Sequence, residues 1–336
     1  MGKFIRRSAY ILAILILAGS AGVTYFAFQE RDIPQEPPFA VERGESLSGI
    51  AERLEDAGII PYDIVFVVAA KVTDKARTLK SGVYRFPLRA NTMQIIEILH
   101  EGSHQVEKWV SIPEGSSTKA IGAILQSKVG TDATKFYQLT RDKEFIRSLG
   151  LNVRSLEGYL LPETYRFLPD TPPEKAVTVL HEHLMDIIDE HRGRLDSLPW
   201  SLHEILTMAS IVEGEVQIDE ERPIVAGVYY NRLRIGMLLQ ADPTIQYIIK
   251  DGPRRILYRD LKIDSPYNTY KYAGLPPGPI NNPGKASILA ALYPAKHSYL
   301  YFVADGKGGH VFTSNQRDHQ RAVREYRRIQ RQRRSR

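Results

Sequence analysis

The stretch Ile205–Val216 carries apolar side chains on every face of a helix and then ends in two carboxylates. Ile205, Leu206, Met208, Ala209, Ile211 and Val212 surround the axis, and a helix apolar all round has to be enclosed by other elements. Glu213 and Glu215 close this rod. Unless the chain turns to water there, desolvation lifts a carboxyl at such a place toward the pKa a general acid needs at neutral pH. Glu215 extends the Ile205, Met208, Val212 stripe at steps of three and four, whereas Glu213 extends the Leu206, Ala209 line. Two faces predict two different jobs.

A core helix needs a large chain around it, and 336 residues suffice for two domains. The formal charge of +6 resembles a nucleic-acid signal but has a single source. Residues 327–336 contain six arginines and no acid, so the first 326 residues are neutral. A nucleic-acid partner is not expected. The basic tail reads as a solvated helix end, with contact to an anionic lipid or polymer as the alternative. The absence of cysteine excludes thiolate metal sites, a cysteine nucleophile and disulfides.

Location is legible only at the N-terminus. Lys3, Arg6 and Arg7 precede Ser8–Phe28, 21 residues without a charge. That length crosses a bilayer as a helix, and the flanking basic residues stay on the cytoplasmic side. The expectation is a single-pass inner-membrane anchor with everything after Gln29 outside the cytoplasm. A cleaved signal peptide competes, because Gly19, Ser20, Ala21 and Gly22 supply small residues; the apolar run is long for one.

The predicted organisation is a cytoplasmic N-terminus over 1–7, a membrane helix over 8–28 and a proline-rich linker over 29–38. A small α+β unit follows over 39–103, a larger, mainly helical domain over 104–326, and the basic tail over 327–336. In the small unit Phe39–Arg43 and Gly82–Phe86 read as strands. Leu47, Ile50, Ala51 and Leu54 recur at helical spacing, and Asn91 caps a helix running to Gly102. In the larger one the rod occupies 201–215, and a helix from Arg222-Pro223 ends at Gly236. Pro266–Pro283 is loop-like, and a hairpin and a terminal helix finish the chain. The fold class is mixed α+β.

Several constellations carry less than they suggest. His181, Glu182, His183, Asp186 and His191 lack the H-E-x-x-H spacing and read as a charged helix face, so no metal is expected. Asp305–His310 (DGKGGH) is no phosphate loop but a tight hairpin turn. There is no G-x-S-x-G for a serine hydrolase. The polar residues after the rod differ: Asn231, Arg232, Gln240, Asp242, Thr244 and Tyr247, then Tyr267, Asn268, Thr269 and Tyr270, then Asn281, Asn282, Tyr299 and Tyr301. Amides, hydroxyls and flat apolar rings are what a sugar needs. Ordinary loop packing explains such a composition equally well, and Tyr247 and Tyr301 suit a core.

Ordered motifs sharpen the reading. Ala209-Ser-Ile-Val-Glu-Gly-Glu215, Asn231-Arg-Leu-Arg-Ile-Gly236, Leu239-Gln-Ala-Asp-Pro-Thr244, Tyr267-Asn-Thr-Tyr270, Gly274-Leu-Pro-Pro-Gly-Pro-Ile280 and Tyr299–His310 together resemble the endolytic murein transglycosylase family (MltG, also called YceG). The likeness covers nearly the whole exported region, and Val41–Leu54 resembles the start of a LysM peptidoglycan-binding module. In that family the second glutamate of the A-S-I-[IV]-E-x-E run is catalytic, which falls on Glu215. Gly214 and Val216 depart from the common pattern, and a glycine at 214 weakens the helix beneath the acid.

The resemblance implies cleavage of the β-1,4 bond between N-acetylmuramic acid and N-acetylglucosamine in nascent strands, leaving 1,6-anhydro ends. It implies no cofactor, and coupling to penicillin-binding proteins that build the wall. Glu213 is expected to support the site, and Asn231, Gln240, Asp242, Tyr267 and Asn268 to contact glycan. The alternatives are a lysozyme-like hydrolase using Asp242 as base or nucleophile, and a non-catalytic anchored glycan-binding protein.

Overall fold

The computed structural model describes residues 15, 17–42, 44–250, 252 and 254–334. Most of the expected membrane segment's first half, residues 8–14 and 16, lies outside the described residues. Among those described, residues 17–28 are helical, and no helix is long and apolar enough to cross a membrane. The chain is mixed α+β and divides into two compact units, Met1–Lys108 with Phe167–Pro169, and Trp109–Arg166 with Asp170–Arg336.

In the first unit β1 (Arg31–Asp32) pairs with β4 (Arg89–Ala90), and β2 (Phe39–Val41) with β3 (Gly82–Tyr84), both antiparallel. Between β2 and β3 run α1 (Leu47–Asp56) and α2 (Asp63–Val72); α3 (Thr92–Glu101) follows β4. Ser46 caps α1 through the Gly49 N–H, and Asn91 and Gln94 form a reciprocal capping box on α3. The helical stripe Ile50, Ala51, Leu54 meets Phe66, Tyr84, Ile95 and Leu99 in one core. Each strand pair is only two or three residues long, too short to stand alone, so this burial is what holds them.

The strand β5 (Lys108–Ser111) pairs with β6 (Thr164–Phe167), and in the second unit α4 (Thr118–Val129), α5 (Ala133–Leu139), α6 (Lys143–Ser148), α7 (Pro173–Glu190) and α8 (Arg192–Asp196) precede the rod, α9 (Leu202–Glu215). Ser201 and Glu204 form a capping box at its start. Every residue from Ile205 to Val212 is buried, Thr207 and Ser210 included. Those two hydroxyls cost little because they are paired: Thr207 donates to the His203 carbonyl, and Ser210 accepts from the Ile280 N–H at 3.1 Å.

Around α9 pack α10 (Arg222–Arg234), α11 (Asp242–Ile248) and α12 (Lys285–Leu292). The chain ends in an antiparallel hairpin, β7 (Tyr301–Ala304) and β8 (His310–Thr313), covered by α13 (Gln316–Arg334). The sequence reading contains no helix at α11. Its seven residues are too few for a periodic signal, and Pro243 sits in its first turn. Gly214 does not end α9, which runs on to Glu215 and stops at Val216, where the backbone turns extended (φ −115°, ψ 129°). A Cβ at residue 214 would lie 2.6 Å from Pro243, so glycine here permits the close approach of α11.

Candidate active site

Glu215 is the last residue of α9 and retains partial access to solvent while protein surrounds its carboxyl closely. Tyr229, two turns into α10, donates its hydroxyl to Oε1 at 2.9 Å, and the backbone N–H of Asp242 at the start of α11 also hydrogen-bonds the carboxyl. Burial pushes Glu215 up to about 7. The Tyr229 hydrogen bond, the Asp242 N–H and the more distant Arg232 cation pull down, while the Asp242 charge pushes up; desolvation wins. Tyr229 is itself raised well above its ordinary value by burial beside that carboxyl, so it stays a donor throughout the physiological range.

Arg232 underpins the pair. It is buried, donates to the Leu300 and Leu239 carbonyls at 2.7 and 2.5 Å, and lies over the rings of Tyr229 and Tyr301. Tyr229 therefore has a fixed ring as well as a fixed hydroxyl. Asp242 is exposed and accepts from the Tyr270 hydroxyl at 2.5 Å. Gln240, two residues earlier, is exposed with a left-handed backbone (φ 49°) and donates its N–H to the Thr269 carbonyl. Non-glycine residues held in that region store strain of about 1–3 kcal/mol and concentrate at functional sites.

Glu213 faces elsewhere, as its helical phase requires. Its side chain is 7% exposed, pairs with Arg222 at 3.2 Å and accepts from the Gly284 N–H at 3.0 Å. Arg222, 6% exposed, also meets Asp219 at 2.8 Å and Glu114 at 3.8 Å. Glu213 thus ties the end of α9 to the starts of α10 and α12.

The remaining sequence candidates divide. Asn231 spends its amide on the His297 and Tyr299 carbonyls at 2.9 and 3.0 Å. Asn268, fully buried, donates to the Leu261 and Ile263 carbonyls and accepts from the Tyr270 N–H, which shapes the loop that presents Tyr270. Tyr267 packs on Tyr247 with ring centroids 4.9 Å apart, beside His203 and Glu157 in a cavity of about 850 Å³. The structure accordingly brings Asp242 to Glu215, whereas Glu213, Asn231 and Asn268 spend their polar atoms on other protein groups and Tyr267 lines a cavity that does not include the acid.

One cavity opens on the acid and another on its neighbours Gly214 and Asp242. One, of about 340 Å³, is lined by Glu215, Gln217, Gly308, Gly309 and His310 together with α13. The other, of about 1200 Å³, is lined by Gly214, Asp242, Pro243, Tyr247 and Asn281 and extends to Lys119 and Arg141. Asn281 donates to the Ser210 carbonyl, but its Oδ1 is buried with no partner among the described residues. Tyr229 escaped the sequence reading because it sits among Val225, Ala226 and Val228, where an aromatic reads as core. Glu221 escaped too, although its carboxylate holds both the backbone N–H and Nδ1 of His310 at 2.9 and 2.6 Å.

Residues 39–325 match the model of a family described as YceG-like. The chain is similar to a Bacillus subtilis protein named endolytic murein transglycosylase, 33% identical over 312 residues, covering 88% of this chain and 86% of that protein. A Streptococcus pneumoniae protein of the same name is 29% identical over 361 residues, covering 95% of this chain and 65% of its own length. Among solved structures, a YceG-like protein from Listeria monocytogenes is 34% identical with a TM-score of 0.59, covering 88% of this chain and 99% of that one.

Proposed function

The chain belongs to the YceG-like family, and on that membership we propose that it is an endolytic murein transglycosylase with Glu215 as its catalytic acid and base. The observation that carries this reading is the Glu215 carboxyl, raised to about 7 by burial and hydrogen-bonded by Tyr229 at 2.9 Å. About half of such groups hold a proton at neutral pH, which suits a residue that must first give a proton and then take one.

In the proposed reaction protonated Glu215 donates to the glycosidic oxygen between N-acetylmuramic acid and N-acetylglucosamine as that bond breaks. The muramoyl 6-hydroxyl attacks the anomeric carbon and passes its proton to the Glu215 carboxylate. The proton count closes, no water is consumed and the new end is a 1,6-anhydro sugar. A second catalytic carboxylate is unnecessary, unlike in ordinary glycosidases. The Tyr229 hydroxyl holds Oε1 throughout and steadies the carboxylate between the two transfers.

A cavity at Glu215 and a second one at its neighbours Gly214 and Asp242 suit a polymer that runs past the acid, as cleavage within a strand requires. In the first unit, the order strand–helix–helix–strand with its two strands paired antiparallel supports a LysM-like glycan-binding role for residues 39–103. The uncharged run Ser8–Phe28 after three basic residues supports anchoring in the inner membrane with everything after Gln29 outside the cytoplasm. There the enzyme would meet nascent strands beside penicillin-binding synthases and end their elongation. Resistance of the full chain to carbonate extraction from membranes tests the anchor, and release into the soluble fraction removes it.

The product decides the reaction. Purified glycan digested by the full chain should yield ends lighter by one water than hydrolytic ends, and Glu215→Gln should yield none. Reducing ends would instead assign a hydrolase, with Asp242 beside the acid as its second carboxylate. Undiminished cleavage by Glu215→Gln would remove Glu215 from the chemistry.

A further inference from the structure

Two sequence features take no part in the proton transfers above, the glycine-rich turn of the last hairpin and the basic terminal helix, and they meet at Glu215. The smaller cavity beside the acid is walled by Gly308 and Gly309 on one side and by Gln330 and Arg333 of α13 on another, with Gln217 beside them. The wall is a built one. Asp305 Oδ1 accepts from the Lys307 and Gly309 N–H groups at 2.6 and 3.1 Å, and its own N–H donates to the Gly309 carbonyl. Glu221 grips the same turn through His310. A Cβ on Gly306 would lie 3.2 Å from the Ile329 side chain, so the helix is pressed onto the hairpin tip.

Position on α13 sets one arginine apart. Arg321 pairs with Asp318 and Arg328 with Glu325, both along the helix surface. Arg333 lines the cavity beside Glu215. The cavity therefore presents a guanidinium and two side-chain amides, opposite an acid that works protonated. A guanidinium with amide donors is the chemistry that receives a carboxylate.

We propose that this cavity is a subsite for a carboxylate carried by the glycan, with Arg333 as its counter-charge and the Gly308–Gly309 turn as its floor. The inference rests on the proposed action on murein, whose sugars bear carboxylates in two places: on the stem peptide, or on the lactyl group once that peptide is removed. Arg333 acts in binding and specificity and not in proton transfer.

The test separates binding from turnover. The full chain carrying Glu215→Gln is titrated with glycan strands that keep their stem peptides and with the same strands stripped by an amidase, at low and physiological salt. Adding Arg333→Gln should weaken binding roughly threefold to tenfold and flatten its salt dependence. Adding Arg331→Gln, an exposed position on the same helix, should leave binding unchanged. A loss confined to peptide-bearing strands assigns the carboxylate to the stem, and a loss confined to stripped strands assigns it to the lactyl group. Equal affinity of the Arg333→Gln chain and its parent for both strands overturns the subsite, as does an equal loss from Arg331→Gln. Arg333-dependent binding by a wild-type chain that releases no anhydro ends overturns the reaction and leaves the subsite standing. A parent that binds neither strand overturns both.

Discussion

The Tyr229 hydroxyl and Glu215 Oε1, 2.9 Å apart, join the last residue of one buried helix to the middle of the next. This bond opposes desolvation, since it favours the ionised carboxyl. Removing it with Tyr229→Phe should therefore move the Glu215 pKa further upward and shift the alkaline limb of kcat/KM to higher pH. It should also lower kcat about tenfold, the scale of one lost hydrogen bond to a charged group. A pH–rate profile superimposable on that of the wild type would remove Tyr229 from the site.

Activity itself should follow the protonated form of Glu215. With a pKa near 7 in the free enzyme, kcat/KM is expected to be flat at acid pH, to halve near pH 7 and to fall about tenfold per further unit. A profile that rises through pH 7 would mean that the working form is the carboxylate from the start.

The same shift has a cost in stability, with a definite sign. The folded chain binds the Glu215 proton more tightly than the unfolded chain does, whose carboxyl lies near 4.5. The stability this contributes is complete below that value, declines as pH rises and is gone above about 7. Glu215→Gln does not titrate, so its advantage over the wild type should grow between pH 4.5 and 7 by about 3 kcal/mol, a rise in Tm of several degrees. Thermal melts at pH 5 and pH 8 measure it, and an unchanged gap between them contradicts the burial argument.

The neighbouring glutamate should behave in the opposite way. Glu213→Gln leaves Arg222 buried with weaker compensation from Asp219 and Glu114, at a cost of about 2–4 kcal/mol. Urea unfolding should show that loss, while the folded fraction keeps most of its kcat. The two substitutions, two residues apart, thus separate by which quantity they damage.

Gly214→Ala tests the approach of α11. The added methyl meets Pro243, whose neighbour Asp242 hydrogen-bonds Glu215. Overpacking of this kind costs about 1–3 kcal/mol. Because the displaced backbone is the one that addresses the acid, kcat should fall together with stability.

What could be read from the residues alone followed from periodicity and caps. The rod announced its own burial, and its phase separated Glu213 from Glu215 before any neighbour was known. Asn91 marked the start of its helix because a cap is a local bond. What could not be read depends on contacts distant in the chain. Tyr229 is an ordinary core aromatic until α10 is laid beside the end of α9. Asn231 and Asn268 were expected to contact glycan, and nothing local in the sequence reveals that their amides hold backbone carbonyls. Gly214 looked like a weak point in a helix, and only Pro243 explains why nothing larger stands there.

The hairpin and terminal helix that wall the acid's cavity have a consequence for how the protein is made. A ribosome releases Glu215 and Tyr229 well before residues 304–333 emerge. During that interval the growing chain carries its acid in a half-built recess, open to water on the side that α13 will cover. A chain in that interval lacks one wall of the proposed carboxylate subsite, so recognition of the glycan at this recess waits on the hairpin and α13.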